Sequence, residues 1–250
     1  VFFNMKNILF IDIETVSQTN NYQSLPERLK IQWARKSAFI PTNENRSEEE
    51  LYIDRAGIYA EFGRVITIGL GYFTHNDETP ELRITSLQND NEKELLQDFV
   101  HIINKFRKEE LQLCAHNGKE FDFPYLCRRI LINGLTLPYV LNTSGKKPWE
   151  VNHLDTMNMW KFGDYKHFTS LELLATIFNI ESSKGDMDGS DVGHVYYNDQ
   201  DIDKIASYCM QDVAVTAQLY LKLNALPSIS KEQITYINGK SKNLTKSKEE

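Results

Sequence analysis

Two carboxylates stand at the end of a strongly apolar stretch near the start of the chain. Residues Ile8 to Ile13 are almost wholly apolar and rich in isoleucine, which predicts a strand buried on both faces of a sheet. Asp12 and Glu14 are two residues apart, so on a strand their side chains point to the same face. Two ionised carboxylates held together there repel each other unless a positive group lies between them. A hard divalent cation such as Mg²⁺ or Mn²⁺, which prefers carboxylate oxygens, meets this requirement.

An ordinary acidic pair at a strand end is the alternative, because Asp-x-Glu spacings also arise by chance in an acidic chain. Asp90 and Glu92 have the same spacing, but they open a helical pattern, where acidic residues cap free N–H groups and complement the helix dipole. Asp12 and Glu14 have no such use at the end of a strand. From context alone, metal binding and an ordinary strand-end pair both remain open.

The composition is that of an ordinary soluble globular protein, and it limits the classes of function that are open to the chain. The 250 residues are enough for one large domain, and no apolar run approaches the roughly 20 residues of a membrane span or resembles a signal peptide. Cys114, Cys127 and Cys209 are scattered and lack the spacing of a zinc or redox motif, which favours a reducing cytoplasm. The net charge of -7 argues against nucleic-acid binding by bulk electrostatics. It does not exclude a nucleic-acid enzyme, because metal ions can supply positive charge locally.

The remaining apolar patterns alternate between strands and helices, which predicts an α/β sheet with its sites beyond the strand ends. We predict one domain over residues 5–227, with a helical insertion at about 18–61, followed by a polar C-terminal tail at 228–250. Basic residues surround Trp33 in the insertion, and we favour a core tryptophan on a solvated helix over a strip that touches a polynucleotide. The glycine-rich segment 182–193 is interpreted as a plain surface loop rather than one that contacts substrate.

Three further polar residues could carry chemistry. Asp122 stands at the start of a predicted helix, where an aspartate can cap the helix and still face a metal. Tyr208 and Asp212 are four residues apart and lie on one face of a helix predicted from about 201 to 223. Tyr197 and Asp201 share that spacing but fall at a hydrophilic helix entrance. About one Tyr-x-x-x-Asp match is expected by chance, so the pair indicates little by itself.

Taken in chain order, these motifs resemble those of the DEDD, or DnaQ-like, 3′-to-5′ exonucleases of the ribonuclease H-like superfamily. Asp12-Ile13-Glu14-Thr15 resembles their first motif, Asn117 to Asp122 the second, and Tyr208 to Asp212 the third, with the tyrosine that marks the tyrosine subclass. Within it, the chain resembles predicted bacterial exonucleases related to the proofreading domain of family B DNA polymerases. The resemblance covers roughly Lys6 to Leu223. It implies an α/β, ribonuclease H-like fold with a mixed central β-sheet flanked by α-helices.

The resemblance also implies a reaction, the hydrolysis of the terminal phosphodiester of single-stranded nucleic acid, DNA favoured, to release nucleoside 5′-monophosphates. Two divalent ions, Mg²⁺ or Mn²⁺, about 4 Å apart would flank the scissile phosphate. Asp12 would bridge both ions, Glu14 and Asp212 would hold the water-activating ion, and Asp122 would support the second. Tyr208 would orient the attacking water, since a neutral phenol suits positioning better than strong base catalysis.

Several assignments keep alternatives. Thr15, Asn117 and Phe123 are expected to contact the terminal nucleotide, with a turn-forming asparagine and a core phenylalanine as the alternatives for the last two. His194 and Asp199 have the spacing of the histidine subclass, but they fall in a loop, and we prefer the tyrosine motif. The rival functions are an exoribonuclease of RNA processing and a catalytically idle binding module, and the intact carboxylate set argues against the latter. No membrane contact is expected, and no protein partner is indicated.

Overall fold

The computed structural model of the chain describes residues 5, 7–42, 46–76, 79–106, 110–164, 168–181 and 187–237. Part of the predicted loop at 182–193 and the end of the predicted tail, 238–250, lie outside these residues. Within the described residues, six strands form one sheet in the order β5-β4-β1-β2-β3-β6. Their bounds are Ile8–Ser17 (β1), Gly63–Asn76 (β2), Thr79–Gln88 (β3), Gln112–Ala115 (β4), Leu154–Asp155 (β5) and Ile234–Ile237 (β6).

The sheet is mixed, with β1 at its centre. β1 runs antiparallel to β2, which runs antiparallel to β3, whereas β1 is parallel to β4 and β4 is parallel to β5. Helices cover both faces, and the predicted ribonuclease H-like α/β fold is confirmed. The helices are Glu27–Ser37 (α1), Glu48–Arg55 (α2), Glu92–Ile103 (α3), Asp122–Ile132 (α4), Thr156–Lys161 (α5), Leu171–Ile177 (α6), Val192–His194 (α7) and Ile202–Leu223 (α8). None of the helices in the described part of the chain is long and apolar enough to span a bilayer.

Strand β1 is buried on both faces, as its apolar run predicts. Its odd-numbered residues 9–13 pack in the cluster formed with α3 and α4. Ile8 and Phe10 pack against α8 on the opposite face. Because side chains alternate along a strand, Asp12 and Glu14 continue the face that α8 covers. The packing of α8 on this face therefore determines which groups meet the two carboxylates.

The insertion at 18–61 forms a small helical unit with its own core around Trp33. This indole is fully buried, and its ring centroid lies 5.4 Å from that of Tyr52 and 5.1 Å from that of Phe62. Its Nε1 donates a hydrogen bond to a backbone carbonyl at 2.8 Å. The interpretation of Trp33 as a core residue is confirmed. The Tyr125 hydroxyl of α4 donates to the Gly57 carbonyl at 2.8 Å, which fastens this unit to the main domain.

The polar C-terminal tail begins later than the sequence predicted. Residues 228–250 were expected to leave the domain, whereas Ile234–Ile237 form β6, parallel to β3 at the sheet edge. Two isoleucines, a threonine and a tyrosine suit a strand, since β-branched and aromatic side chains pack well on a pleated surface. Four residues are too few to show a period-2 pattern within a polar sequence.

Candidate active site

The carboxylates of β1 face α8 across an unusually close contact. Asp12 pairs in register with Gly69 of β2. A Cβ atom at Gly69 would lie 2.8 Å from Cγ2 of Val213 and 3.1 Å from the carbonyl oxygen of Cys209, so a side chain there would push α8 away. The approach brings Sγ of Cys209 to 3.2 Å from Oδ2 of Asp12, where the thiol donates a hydrogen bond.

Helix α8 presents Tyr208 and Asp212 on the same side. The Tyr208 hydroxyl donates a hydrogen bond to the Asp212 carboxylate. Burial, followed by the charges of Asp212, Glu14 and Asp12, raises the pKa of Tyr208 above its ordinary value of 10. The phenol is therefore neutral at pH 7, and it can position a water molecule but cannot act as a strong base.

Asp122 approaches the carboxylates of β1 from α4, on the face of the sheet opposite α8. It is the first residue of α4, is 3% exposed, and accepts hydrogen bonds from its own N–H and from the N–H of Ile13 on β1. Burial is the main cause that raises its pKa to about 7, and the charges of Asp155 and Asp212 add to it. Asp122 thus lies against the strand that carries Asp12.

The four acidic side chains oppose one another's ionisation. The pKa values of Asp12 and Glu14 are raised well above their ordinary range, first by burial and then by the charge of Asp212, with Asp122 contributing to both. A bound cation lowers the repulsion between such carboxylates, because it neutralises their charge. Its carboxylate oxygens are the donors that Mg²⁺ and Mn²⁺ prefer, so the residues fit hard divalent ions.

Cys209 belongs to this cluster although its chemistry differs. Asp12, Glu14 and Cys209 each place one potential ligand atom within 4.8 Å of the others. Burial and the charge of Asp12 raise the pKa of the Cys209 thiol well above its usual range. The sulfur therefore stays protonated and orients the Asp12 carboxylate as a hydrogen-bond donor. The sequence offered no signal for this role beyond the position of Cys209 next to Tyr208.

Asp155 is a second site residue that the sequence patterns missed. It ends β5, caps α5 and is 3% exposed. Its carboxylate accepts hydrogen bonds from the backbone N–H groups of Asn117 at 3.1 Å, Lys119 at 3.0 Å and Asn158 at 3.1 Å. Asp155 therefore holds the turn between β4 and α4, which leads into Asp122. A strand of two residues carries no periodicity that could reveal this position.

The three predicted substrate contacts have different surroundings. Thr15 lines an open cleft beside Glu14. Asn117 has a φ of 64°, in the left-handed region, which fits the turn-forming alternative. Phe123 is 4% exposed and packs in the core, which fits the core alternative. Phe121, two residues earlier, lines the cleft instead.

The rival histidine motif lies on short helical segments before α8, not in the loop that the sequence predicted, and His194 lines the cleft beside Glu14. His194 ends α7 and Asp199 ends the π-helix Val195–Asp199, and both side chains are exposed. Tyr208 and Asp212 instead belong to α8, whose buried face packs on β1. Tyr208 and Asp212 both interact electrostatically with the carboxylates of β1.

A mixed sheet in this strand order, with acidic side chains from β1, α4 and α8 meeting beside the central strand, defines a ribonuclease H-like protein. The chain belongs to the family described as a predicted 3′-5′ exonuclease related to the exonuclease domain of PolB, whose model matches residues 58–248. The resemblance predicted from the motifs is confirmed, and the family is one of hydrolases. Asp122, Tyr208 and Asp212 lie within the matched residues, and Asp12 and Glu14 precede them.

One solved structure similar to this chain is the family B DNA polymerase from the hyperthermophilic archaeon Pyrobaculum calidifontis. The two share 15% sequence identity, and the TM-score is 0.49. The similarity covers 87% of this chain and 24% of the polymerase chain. This chain therefore spans about a quarter of the polymerase's length.

Proposed function

We propose that this chain is a metal-dependent 3′-5′ exonuclease that hydrolyses the terminal phosphodiester of single-stranded nucleic acid, with DNA favoured over RNA. The products would be nucleoside 5′-monophosphates. The observation that carries the proposal is the convergence of Asp12, Glu14, Asp122 and Asp212, where burial and then mutual repulsion raise the pKa values of the first three. Family membership provides the class of reaction and the direction along the strand.

The four carboxylates would hold two divalent ions, Mg²⁺ or Mn²⁺. When bound, such a pair supplies activation of the attacking water and stabilisation of the leaving 3′ oxygen. Cys209 fixes one carboxylate oxygen of Asp12 through its thiol, and the N–H of Ile13 fixes Asp122. The neutral hydroxyl of Tyr208, held by Asp212, orients the attacking water.

Thr15 and Phe121 would contact the end of the strand from the cleft beside Glu14. Among the described residues, Oδ1 of Asn117 is buried without a hydrogen-bond partner, which leaves this acceptor for a donor group on the terminal nucleotide. The three cysteines are free thiols, which a reducing compartment maintains, so we place the activity in the cytoplasm.

The test uses single-stranded DNA and RNA oligomers of matched sequence, labelled at the 5′ end. Each is incubated with Mg²⁺, Mn²⁺ or EDTA, and the products are separated on a denaturing gel. The proposal predicts a ladder that shortens from the 3′ end and is absent with EDTA. Asp212→Asn should abolish the ladder, whereas Asp203→Asn, an exposed position in the first turn of the same helix, should keep it.

Each other outcome has a meaning of its own. Cleavage by Asp212→Asn at the wild-type rate would contradict the assignment of the metal site. Faster degradation of the RNA strand would make the protein an exoribonuclease. Strand binding without metal-dependent cleavage would support the idle binding module instead.

A further inference from the structure

A cleft of about 630 Å³ opens beside the carboxylate cluster. Residues 13–17 of β1, among them Glu14 and Thr15, and Phe121 of the turn before α4 line its inner part. Its remaining walls come from the insertion at 18–61 and from the segment 187–199. We call this part the outer cleft, and the residues used below are Asn20, Ile53, Ile58, Gly193, His194 and Asn198.

Hydrogen bonds tie both walls of the outer cleft to the core of the domain. The Tyr197 hydroxyl donates to the carbonyl oxygen of Ser17, at the end of β1, at 2.5 Å. On the opposite wall, the Tyr125 hydroxyl donates to the Gly57 carbonyl at 2.8 Å. Val192 and Val195 are buried in a cluster that includes residues of β1 and β2. The outer cleft is thus a preformed feature rather than a gap between loose segments.

The lining of the outer cleft combines apolar and neutral polar groups. Ile53 is 60% exposed and Ile58 47% exposed, so each leaves apolar surface uncovered beside the site. The amides of Asn20 and Asn198 offer hydrogen-bond donors and acceptors. Among the described residues that line the cleft, none is a lysine or an arginine, His194 is the one histidine, and Asp54 is paired with Arg46. This lining suits a flat, uncharged group with polar edges and does not suit a bare phosphate.

We infer that the outer cleft binds the base and sugar of a nucleotide next to the scissile phosphate, with Ile53 and Ile58 against the base and the asparagine amides at its polar edge. This inference rests on the proposed function, because it takes a nucleic-acid strand as the ligand of the adjacent carboxylate site. A cleft of this volume lies within the roughly 300–1,000 Å³ range of small-ligand sites and accommodates a nucleotide. Residues 187–193, part of the predicted loop at 182–193, then contribute to substrate binding, whereas the sequence favoured a plain surface loop there.

Two substitutions test the outer cleft without touching the carboxylates. Ile58→Ser removes an apolar contact. Gly193→Leu adds a side chain where a Cβ atom would meet no atom within 4 Å, so it fills the cleft without a steric clash. The matched control is Ile31→Ser, because Ile31 lies on α1 of the same insertion, is 48% exposed and does not line the cleft. Melting temperatures show whether each variant folds.

Two measurements are made on each variant. The first is the Kd of a 5′-fluorescein single-stranded oligothymidylate, by fluorescence anisotropy in EDTA and in Ca²⁺. The second is kcat and KM for the same strand in Mg²⁺. We expect Ile58→Ser and Gly193→Leu to raise Kd and KM about tenfold, the loss expected for one base contact, with kcat changed by less than about twofold. Ile31→Ser should match the wild type.

The outcomes separate this inference from the proposed function. If the wild type degrades the strand and all three variants share its Kd and KM, the inference is overturned and the exonuclease stands. If the wild type binds but does not degrade the strand, weaker binding by Ile58→Ser and Gly193→Leu still supports the cleft assignment while the proposed function fails. If the wild type does not bind the strand under either condition, the inference is overturned.

Discussion

Replacing Asp122 by asparagine should reduce the pH dependence of stability in the metal-free protein. Burial, with the charges of Asp155 and Asp212, raises the pKa of Asp122 from its ordinary 3.8 to about 7. Between these values the folded chain binds more protons than the unfolded chain, so stability falls as the pH rises. The contribution of Asp122 is fully present below about pH 4 and is lost as the pH passes through about 7.

The size of the stability change follows from the shift in the pKa of Asp122. One pKa unit corresponds to about 1.4 kcal/mol, so a shift of about three units costs about 4 kcal/mol at high pH. About 3 kcal/mol of this falls between pH 5 and pH 8. For a protein of this size each kcal/mol moves the melting temperature by about 2–4 °C, which gives a difference of about 6–12 °C. The raised pKa values of Asp12 and Glu14 act in the same direction.

The assay is thermal unfolding followed by circular dichroism at pH 5 and pH 8 in EDTA. The drop in melting temperature between the two pH values should be smaller by about 6–12 °C in Asp122→Asn than in the wild type. The control is Asp98→Asn, an exposed aspartate on α3, which should keep the wild-type drop. If the melting temperature dropped equally in Asp122→Asn and Asp98→Asn, the Asp122 carboxylate would not be buried and repelled by its neighbours as the structure indicates.

Three further substitutions have definite expected results. Tyr208→Phe keeps the ring and loses the hydroxyl that orients the attacking water. In steady-state assays kcat should therefore fall about 100-fold with KM unchanged. An unchanged kcat would show that Tyr208 has no part in the mechanism. Gly69→Ala should cost about 1–3 kcal/mol in urea unfolding, because the added Cβ meets Val213 at 2.8 Å, and an equally stable variant would contradict that packing. Asp155→Ala removes the acceptor for the backbone N–H groups of Asn117 and Lys119, so the amide hydrogen exchange of these two residues should become faster. Unchanged exchange would show that the turn between β4 and α4 does not depend on Asp155.

The parts of the fold that the sequence predicted well are those with long, clear periodicity. The helix predicted from Asp201 to about Leu223 is α8, Ile202–Leu223, with Asp201 as its N-cap. The apolar run before Asp12 is β1, buried on both faces. Long regular elements bury one face or both, and that burial leaves a pattern in the residue types. These two elements carry Asp12, Glu14, Tyr208 and Asp212, and their side chains meet in the site.

What the sequence did not reveal depends on short elements and on contacts between distant segments. β5 has two residues and β6 has four, so neither shows a period. Asp155 takes its place in the site only because β5 pairs with β4. Gly69 matters because α8 approaches β2 closely, which no local pattern of residues indicates. The outer cleft arises between two segments that are more than 120 residues apart in the chain.

The number of Mn²⁺ ions bound per chain tests most directly whether the buried carboxylates form a metal centre. The measurement is a calorimetric titration near pH 7.5 in the presence of a nucleoside 5′-monophosphate, with wild type, Asp12→Asn and the control Asp98→Asn. We predict two ions per chain for the wild type and the control, and a loss of at least one in Asp12→Asn, because Asp12 would contact both. An Asp12→Asn protein that binds as many ions as the wild type, with the same affinity, would contradict the two-ion site.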